Sequence, residues 1–185
     1  VITHIDVGAV LRGSVSNLYS NLVTRHTGRA VRDGIERALA DVPGRRVTVI
    51  DFSHVGILDY SCADEIVAKL LLRRMDEAAA CPDAYFVFRG VGDHLDPIEH
   101  VLMHHGLAII VELPDGETYL IGQASDAERL VWHTLKRLRE AVSARIADAA
   151  GLPDEACDRA LATLWQRRLV LREGERWHAI VGGVA

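Results

Sequence analysis

Any chemistry in this chain has to come from a few clusters of polar side chains. The densest is Asp59-Tyr60-Ser61-Cys62-Ala63-Asp64-Glu65, which gathers two hydroxyls and three carboxylates at the start of a predicted helix. Free N–H groups at a helix N-terminus favour an anion, so a phosphate on Ser61 suits that place. Serine there is also an ordinary N-cap. With His54 nearby in sequence, Asp59, Ser61 and His54 supply the residue types of a hydrolytic pocket, yet no serine–histidine motif marks them. His100 and His104 lie four apart beside Glu99 and His105, a spacing that can hold zinc on a helix. Val101, Leu102 and Met103 between them leave no glutamate as general base, and no third ligand is signalled, so no metal is expected. Gly90-Val91-Gly92 runs into Asp93 without the third glycine of a dinucleotide loop or the lysine of a phosphate loop. Asp51, Asp59 and Asp64 have simpler work as turn and cap residues. The expectation is a non-enzyme with no cofactor and no catalytic residue.

A second cluster is basic. Arg167, Arg168, Arg172 and Arg176 crowd the C-terminal region, and Arg159 precedes them. They are the candidates for phosphate contacts and, in the case of Arg159, for a base edge. Against them stand Asp154, Glu155 and Asp158, carboxylates that suit a helix dipole but repel phosphate.

The elements that must position these residues follow from periodicity. Val31, Ile35 and Leu39 mark one apolar face of a helix within Leu22–Leu39, leaving Arg25, Arg29, Arg32 and Arg37 to point outward. Pro43-Gly44 ends it. Val47–Ile50 and Tyr85–Phe88 are short continuous apolar runs, the pattern of central strands covered on both faces. Ile66, Val67, Leu70, Leu71 and Met75 stripe a helix from about Ala63 to Met75, with Asp64 and Glu65 near its N-terminus. Pro97 suits the first turn of a helix over Ile98–His105 that stops at Gly106. Ala108–Leu113 and Thr118–Ile121 flank the turn Pro114-Asp115-Gly116 as a hairpin. Ile5–Leu11 adds an edge strand. Strand and helix in alternation predict a layered α/β domain with right-handed crossovers.

After Gly122 the pattern restarts. Ser125-Asp126-Ala127-Glu128 is a capping box that opens a helix reaching about Ala141. Ser143 caps a second helix that ends at Ala150–Gly151. Pro153 opens a third, reaching about Arg168, with Cys157, Leu161 and Leu164 inward. Leu169-Val170-Leu171 and Arg176–Ile180 form a hairpin about Glu173-Gly174-Glu175. The predicted domains are 1–122 and 123–185.

Composition narrows the function classes. A hydrophobic share of 49% and a charged share of 25% are those of an ordinary globular protein. No run approaches the roughly 18 apolar residues of a membrane span, and Val1-Ile2-Thr3-His4 begins no signal peptide, so a cytoplasmic protein is expected. Cys62, Cys81 and Cys157 are too few and scattered for a disulfide framework and read as buried thiols. The net charge of −5 argues against a whole-surface nucleic-acid binder. Residues 125–185 hold ten Lys/Arg against nine Asp/Glu, so the acidity lies in the first part.

Two resemblances attach to these residues. Val49-Ile50-Asp51-Phe52-Ser53-His54-Val55-Gly56-Ile57-Leu58-Asp59-Tyr60-Ser61 resembles the STAS domains of bacterial anti-sigma-factor antagonists: a buried strand ending in aspartate, a connector, a second aspartate, hydroxyl residues, then a helix. Ser61-Cys62-Ala63-Asp64-Glu65-Ile66 is similar to a STAS-like subgroup whose helix opens with alanine-aspartate-glutamate. The likeness covers roughly residues 20–122. It implies a protein partner, such as a kinase-like ATPase, docking around Asp59, Tyr60, Ser61 and Asp64. In that family the switching hydroxyl directly follows the second aspartate, where this chain has Tyr60, with Ser61 one place later. Residues 125–182 resemble the winged helix-turn-helix domains of bacterial regulators, chiefly on Arg145-Ile146-Ala147-Asp148-Ala149-Ala150-Gly151-Leu152-Pro153 and Leu169-Val170-Leu171. Such domains read DNA or dock proteins, so either partner follows, and a homodimer would supply two half-sites for DNA. The implied function is a signalling or transcription-related regulator. A pure protein–protein module and an enzyme using Asp59, Ser61 and His54 are the alternatives.

Because hydrophobic periodicity restarts after Gly122, limited proteolysis is expected to cut near residues 122–126 or leave the chain intact. Dominant cleavage within 60–75 would overturn the two-domain division.

Overall fold

Val47, Val49 and Ile50 favour extended backbone through their β-branched side chains. In the computed structural model, which describes residues 2–16, 20–40, 46–76 and 84–180, they lie in β3 (Arg46–Asp51). This strand sits between β1 (Ile2–Asp6) and β5 (Ala84–Arg89), and β6 (Ala108–Glu112) and β7 (Thr118–Gly122) complete a five-stranded sheet of order β1-β3-β5-β6-β7. Four strands are parallel and β7 returns antiparallel to β6. Ile5 pairs with Ile50, Val49 with Val87 and Phe88 with Val111. Every residue of β6 is buried, as expected for a strand covered on both faces.

The connections carry helices: α1 (Val7–Ser14) and α2 (Arg25–Ala40) before β3, α3 (Tyr60–Ala63) and α4 (Lys69–Met75) before β5, and α5 (Leu95–His105) before β6. Ile50, Phe86, Phe88, Ile109 and Val111 from the sheet share one apolar core with Val31, Ile35, Ile66, Leu70, Ile98 and Leu102 from the helices. A small parallel pair, β2 (Asn21–Leu22) with β4 (Ile57–Leu58), holds the loops ahead of α2 and α3 side by side.

Three expectations change here. The edge strand expected over residues 5–11 lies earlier, at Ile2–Asp6: β1 ends at Asp6, whose carboxylate accepts a hydrogen bond from the Ala9 amide at 3.1 Å and starts α1. The helix expected from Ala63 starts at Tyr60, and between α3 and α4 it widens into a π turn, Asp64–Ala68. Arg32 does not point outward. It is 3% exposed and pairs with Glu65, itself 2% exposed. Pro43-Gly44 and Cys81 lie outside the described residues. Gly90-Val91-Gly92 has a structural role: Gly90 is left-handed (φ 67°), and a Cβ there would stand 2.4 Å from the Ser53 amide nitrogen.

The chain divides into two compact units at Gly122/Gln123. The second contains α6 (Asp126–Leu138), β8 (Glu140–Val142), α7 (Ser143–Ala150), α8 (Asp154–Gln166), β9 (Val170–Glu173) and β10 (Arg176–Ala179). Its strands form an antiparallel sheet of order β8-β10-β9. The capping box is complete: the Ser125 hydroxyl accepts from the Glu128 amide at 3.2 Å, and the Glu128 carboxylate accepts from the Ser125 amide at 3.0 Å. The first helix stops three residues earlier than expected because Arg139 turns left-handed (φ 68°) and the chain enters β8. The third stops at Gln166, short of Arg168. Ser143 is the first residue of α7 rather than its cap, and its hydroxyl donates to Asp158. Cys157, Leu161 and Leu164 are fully buried, as their spacing predicts.

A buried ion pair broken on one side leaves an uncompensated charge, at a cost of about 3–5 kcal/mol. Glu65→Ala is therefore expected to lower unfolding stability by that amount in urea titration. Replacing Arg32 and Glu65 together by Met and Leu should recover most of the loss. Equal destabilisation by single and double variants would contradict the pairing.

Candidate functional site

Asp59 stands where the short β4 ends, in extended backbone, and its carboxylate accepts the Cys62 amide at 2.8 Å. Asp59, not Ser61, is the N-cap of α3, a correction to the sequence reading. The Ser61 hydroxyl donates to the same carboxylate at 2.9 Å and is partly exposed. Tyr60 projects outward; its hydroxyl donates to Asp96 at the start of α5, and its ring meets His100 edge-on at 4.8 Å between centroids.

The four residues singled out around this helix start share one surface region. Tyr60, Ser61 and Asp64 line an open pocket of about 440 Å³ together with Arg25, His100, Val101, His104 and His105, and Asp59 holds the turn beneath it. His54 is not among the lining residues: its ring bonds Asp6 at 2.8 Å, at the end of β1. Ser61 thus has a carboxylate partner rather than a histidine one.

Ion pairs stiffen the floor of this pocket. Asp64 receives Arg25 at 2.7 Å through one oxygen and His105 at 2.8 Å through the other. Glu65 takes Arg25 at 3.0 Å, with Arg32 and Lys69 closer still. Burial pushes the Asp64 carboxyl up, but hydrogen bonds from Arg25 and His105 and the charges of Lys69 and Arg25 outweigh it, so its pKa is lowered. Glu65 is lowered likewise: burial opposes, while hydrogen bonds from Lys69 and Arg25 and the charges of Arg32 and Lys69 prevail. For Asp59, burial is offset by the Cys62 amide and the Ser61 hydroxyl, and the balance is again downward. The Asp96 carboxylate raises the Tyr60 phenol. Burial and the Asp59 charge push the Cys62 thiol up to about 12, which removes it as a nucleophile at neutral pH.

Arg25, His100, His104 and His105 are residues that sequence reasoning did not assign to this site. Sequence patterning points Arg25 toward solvent and reads the histidines as a solvent-facing cluster at a helix C-terminus, with zinc as the alternative. No local signal joins α2 and α5 to the start of α3; their packing does.

In the second unit the five arginines are dispersed. Arg159 is exposed on α8, 4.0 Å from Glu155. Arg167 is half-buried: it pairs with Glu128 at 3.3 Å, donates to the Gln123 carbonyl, and burial lowers its pKa. Arg168 adopts a left-handed backbone (φ 61°) beyond the end of α8. The Arg172 guanidinium lies over the Trp177 ring, 5.1 Å from its centroid. Arg176 pairs with Glu140 at 2.8 Å.

No protein-family model matches the chain, and no curated protein matches it. No described helix is long and apolar enough to cross a membrane.

Asp59, Asp64 and Glu65 each have a folded pKa lowered from the ordinary value for its own type. Their stabilisation is present above the unfolded pKa and is lost as pH falls through the folded values. Urea midpoints should therefore be insensitive to these groups above about pH 5 and drop on acidification below about pH 4. Asp64→Asn is expected to make that acid limb shallower; an unchanged limb would count against the Asp64 network.

Proposed function

We propose that the chain is a regulatory module in which a STAS-like α/β domain docks a protein partner and a winged helix-turn-helix domain passes the outcome on. The observation that carries the first half is a set of large apolar side chains left exposed on the segments that lead into α2 and α3. Ile57 is 54% exposed, Tyr60 48% and Val23 43%. Leu22 pairs with Leu58 across the parallel β2 and β4, so Val23 follows the end of β2 and Ile57 opens β4, three residues before Tyr60. Large apolar side chains grouped at a surface and rimmed by charged ones mark a protein-recognition patch. Tyr60 of the Asp59-Tyr60-Ser61 motif is one of these exposed residues, where the STAS resemblance implies a partner such as a kinase-like ATPase.

For the second half, the order helix, strand, helix, helix, strand, strand with a β8-β10-β9 sheet supports a winged helix. DNA as its target finds less support. Arg167, Arg172 and Arg176 are engaged within the unit, and α8 opens on Asp154 and Glu155. An enzymatic role through Asp59, Ser61 and His54 finds less still, given the His54–Asp6 pair.

The test is comparative affinity purification with quantitative mass spectrometry, using the wild-type chain, Ile57→Asp and Arg172→Ala/Arg176→Ala. A partner is expected that Ile57→Asp loses by more than about tenfold, the scale of a hot-spot residue. The arginine variant should retain it. If no protein distinguishes wild type from Ile57→Asp, the docking reading fails.

A further inference from the structure

The second unit carries a groove of about 550 Å³ between α8, the β9–β10 hairpin and the start of α7. Asp158, Ala162 and Trp165 line it from α8; Arg172, Glu175 and Trp177 line it from the hairpin. Asp154, Asp158, Ala162 and Trp165 follow one another at helical spacing, and all four are exposed. The stripe is acidic at one end, small in the middle and aromatic at the other. Trp165 is 39% exposed, a large ring left open in a concave site.

Charge decides what such a groove accepts. Asp154 and Glu155 open α8, Asp158 lies one turn on, and Glu175 sits at the hairpin tip. Among the described residues, Asp154 and Glu175 make no ion pair. The cations nearby are occupied: Arg159 lies 4.0 Å from Glu155, and Arg172 is stacked on Trp177 and donates to the Gly174 carbonyl at 3.1 Å. A phosphate backbone entering here meets carboxylates first, which opposes the counterion-release attraction that drives nucleic-acid binding. A guanidinium or ammonium meets carboxylates and an open indole face, both favourable. The Arg172–Trp177 stack displays within the unit itself how a guanidinium sits in this groove.

We propose that this groove is a docking site for a basic segment of a partner protein, with Trp165 as anchor and Asp158 and Glu175 as the charge partners. The proposal deepens the protein-docking reading given above and rests on it only for the regulatory role, because the groove and the Ile57–Tyr60 rim lie on different units.

The experiment uses the full chain labelled with ¹⁵N and follows its three tryptophan indole N–H signals, from Trp132, Trp165 and Trp177, with Trp165→Phe to assign one of them. The probes are a short amphipathic peptide of Leu, Ala and Arg, the same peptide with Glu for Arg, and a mixed-sequence DNA duplex, each at low and moderate salt. The arginine peptide should shift the Trp165 and Trp177 signals and leave Trp132, which is buried within α6, in place. The glutamate peptide should shift none. Glu175→Gln combined with Asp158→Asn should weaken binding by on the order of tenfold. Should that pair perturb the fold, Trp165→Ala, at an exposed position, should weaken it alone. Ile57→Asp should leave the peptide shifts unchanged, so failure of the groove and failure of the rim are read separately. Absence of indole shifts with the arginine peptide overturns the proposal. So does a duplex that shifts the same indoles with an affinity falling steeply in salt.

Discussion

The Arg32–Glu65 pair is the constraint on which the first unit is built. Two opposite charges sit where almost no water reaches, and the cost of removing them from water is several kcal/mol per ion unless every oxygen and N–H finds a partner. Glu65 meets its share of that demand with three cations, from Arg32, Arg25 and Lys69, while the Arg32 Nε lies 3.8 Å from Glu36 without a hydrogen bond. Arg25 reaches on to Asp64, and Asp64 to His105. Two adjacent carboxylates, Asp64 and Glu65, thereby tie α2, the π turn and α5 to one another. The π turn is part of the same arrangement: four consecutive residues, Glu65, Ile66, Val67 and Ala68, are all buried, more than one stripe of a surface helix provides.

The surface pocket inherits this rigidity. Its walls are the start of α2, the start of α3 and one face of α5, the elements that the charge network ties together. Tyr60 bridges to α5 through Asp96 and His100 without being covered, so its ring is held and yet available. A held side chain loses little conformational entropy on meeting a partner, which favours the use of this rim for recognition.

Polar chemistry in the second unit is likewise turned inward. Arg167 closes the start of α6 through Glu128 and Gln123, Arg176 ties β10 to β8, and Arg172 covers Trp177. These arginines hold small elements that bury little apolar surface. The acidic first turn of α8 and the Trp165 ring stay at the surface, as do Arg137, Arg139, Arg145 and Arg159. An arginine-rich stretch is therefore a poor guide to nucleic-acid binding until its partners within the fold are known.

Local chemistry was legible in the sequence. Val47–Ile50, Tyr85–Phe88 and the 108–121 hairpin follow from side-chain shape, the 125–128 capping box from reciprocal hydrogen bonding three residues apart, and the stops at Gly106 and Gly151 from left-handed backbone at glycine. Each depends on neighbours in sequence. Asp6 carried a legible signal too, an N-cap ahead of Val7 and Leu11, which the strand pattern of Ile2–Ile5 masked. Other features had no local cause. Glu140–Val142 is a strand because β10 pairs with it, and three residues have no period of their own. Arg32 lies on the helix between apolar positions and looked solvated; its burial is set by Glu65, 33 residues away, which supplies a charge that water would otherwise have to provide. The pocket around Tyr60 and Ser61 likewise exists only once α2 and α5 pack beside α3. Periodicity and capping are interactions within a few residues, so sequence alone determined them; ion-pair burial and site assembly are balances between desolvation and distant partners, and only the tertiary structure decided them.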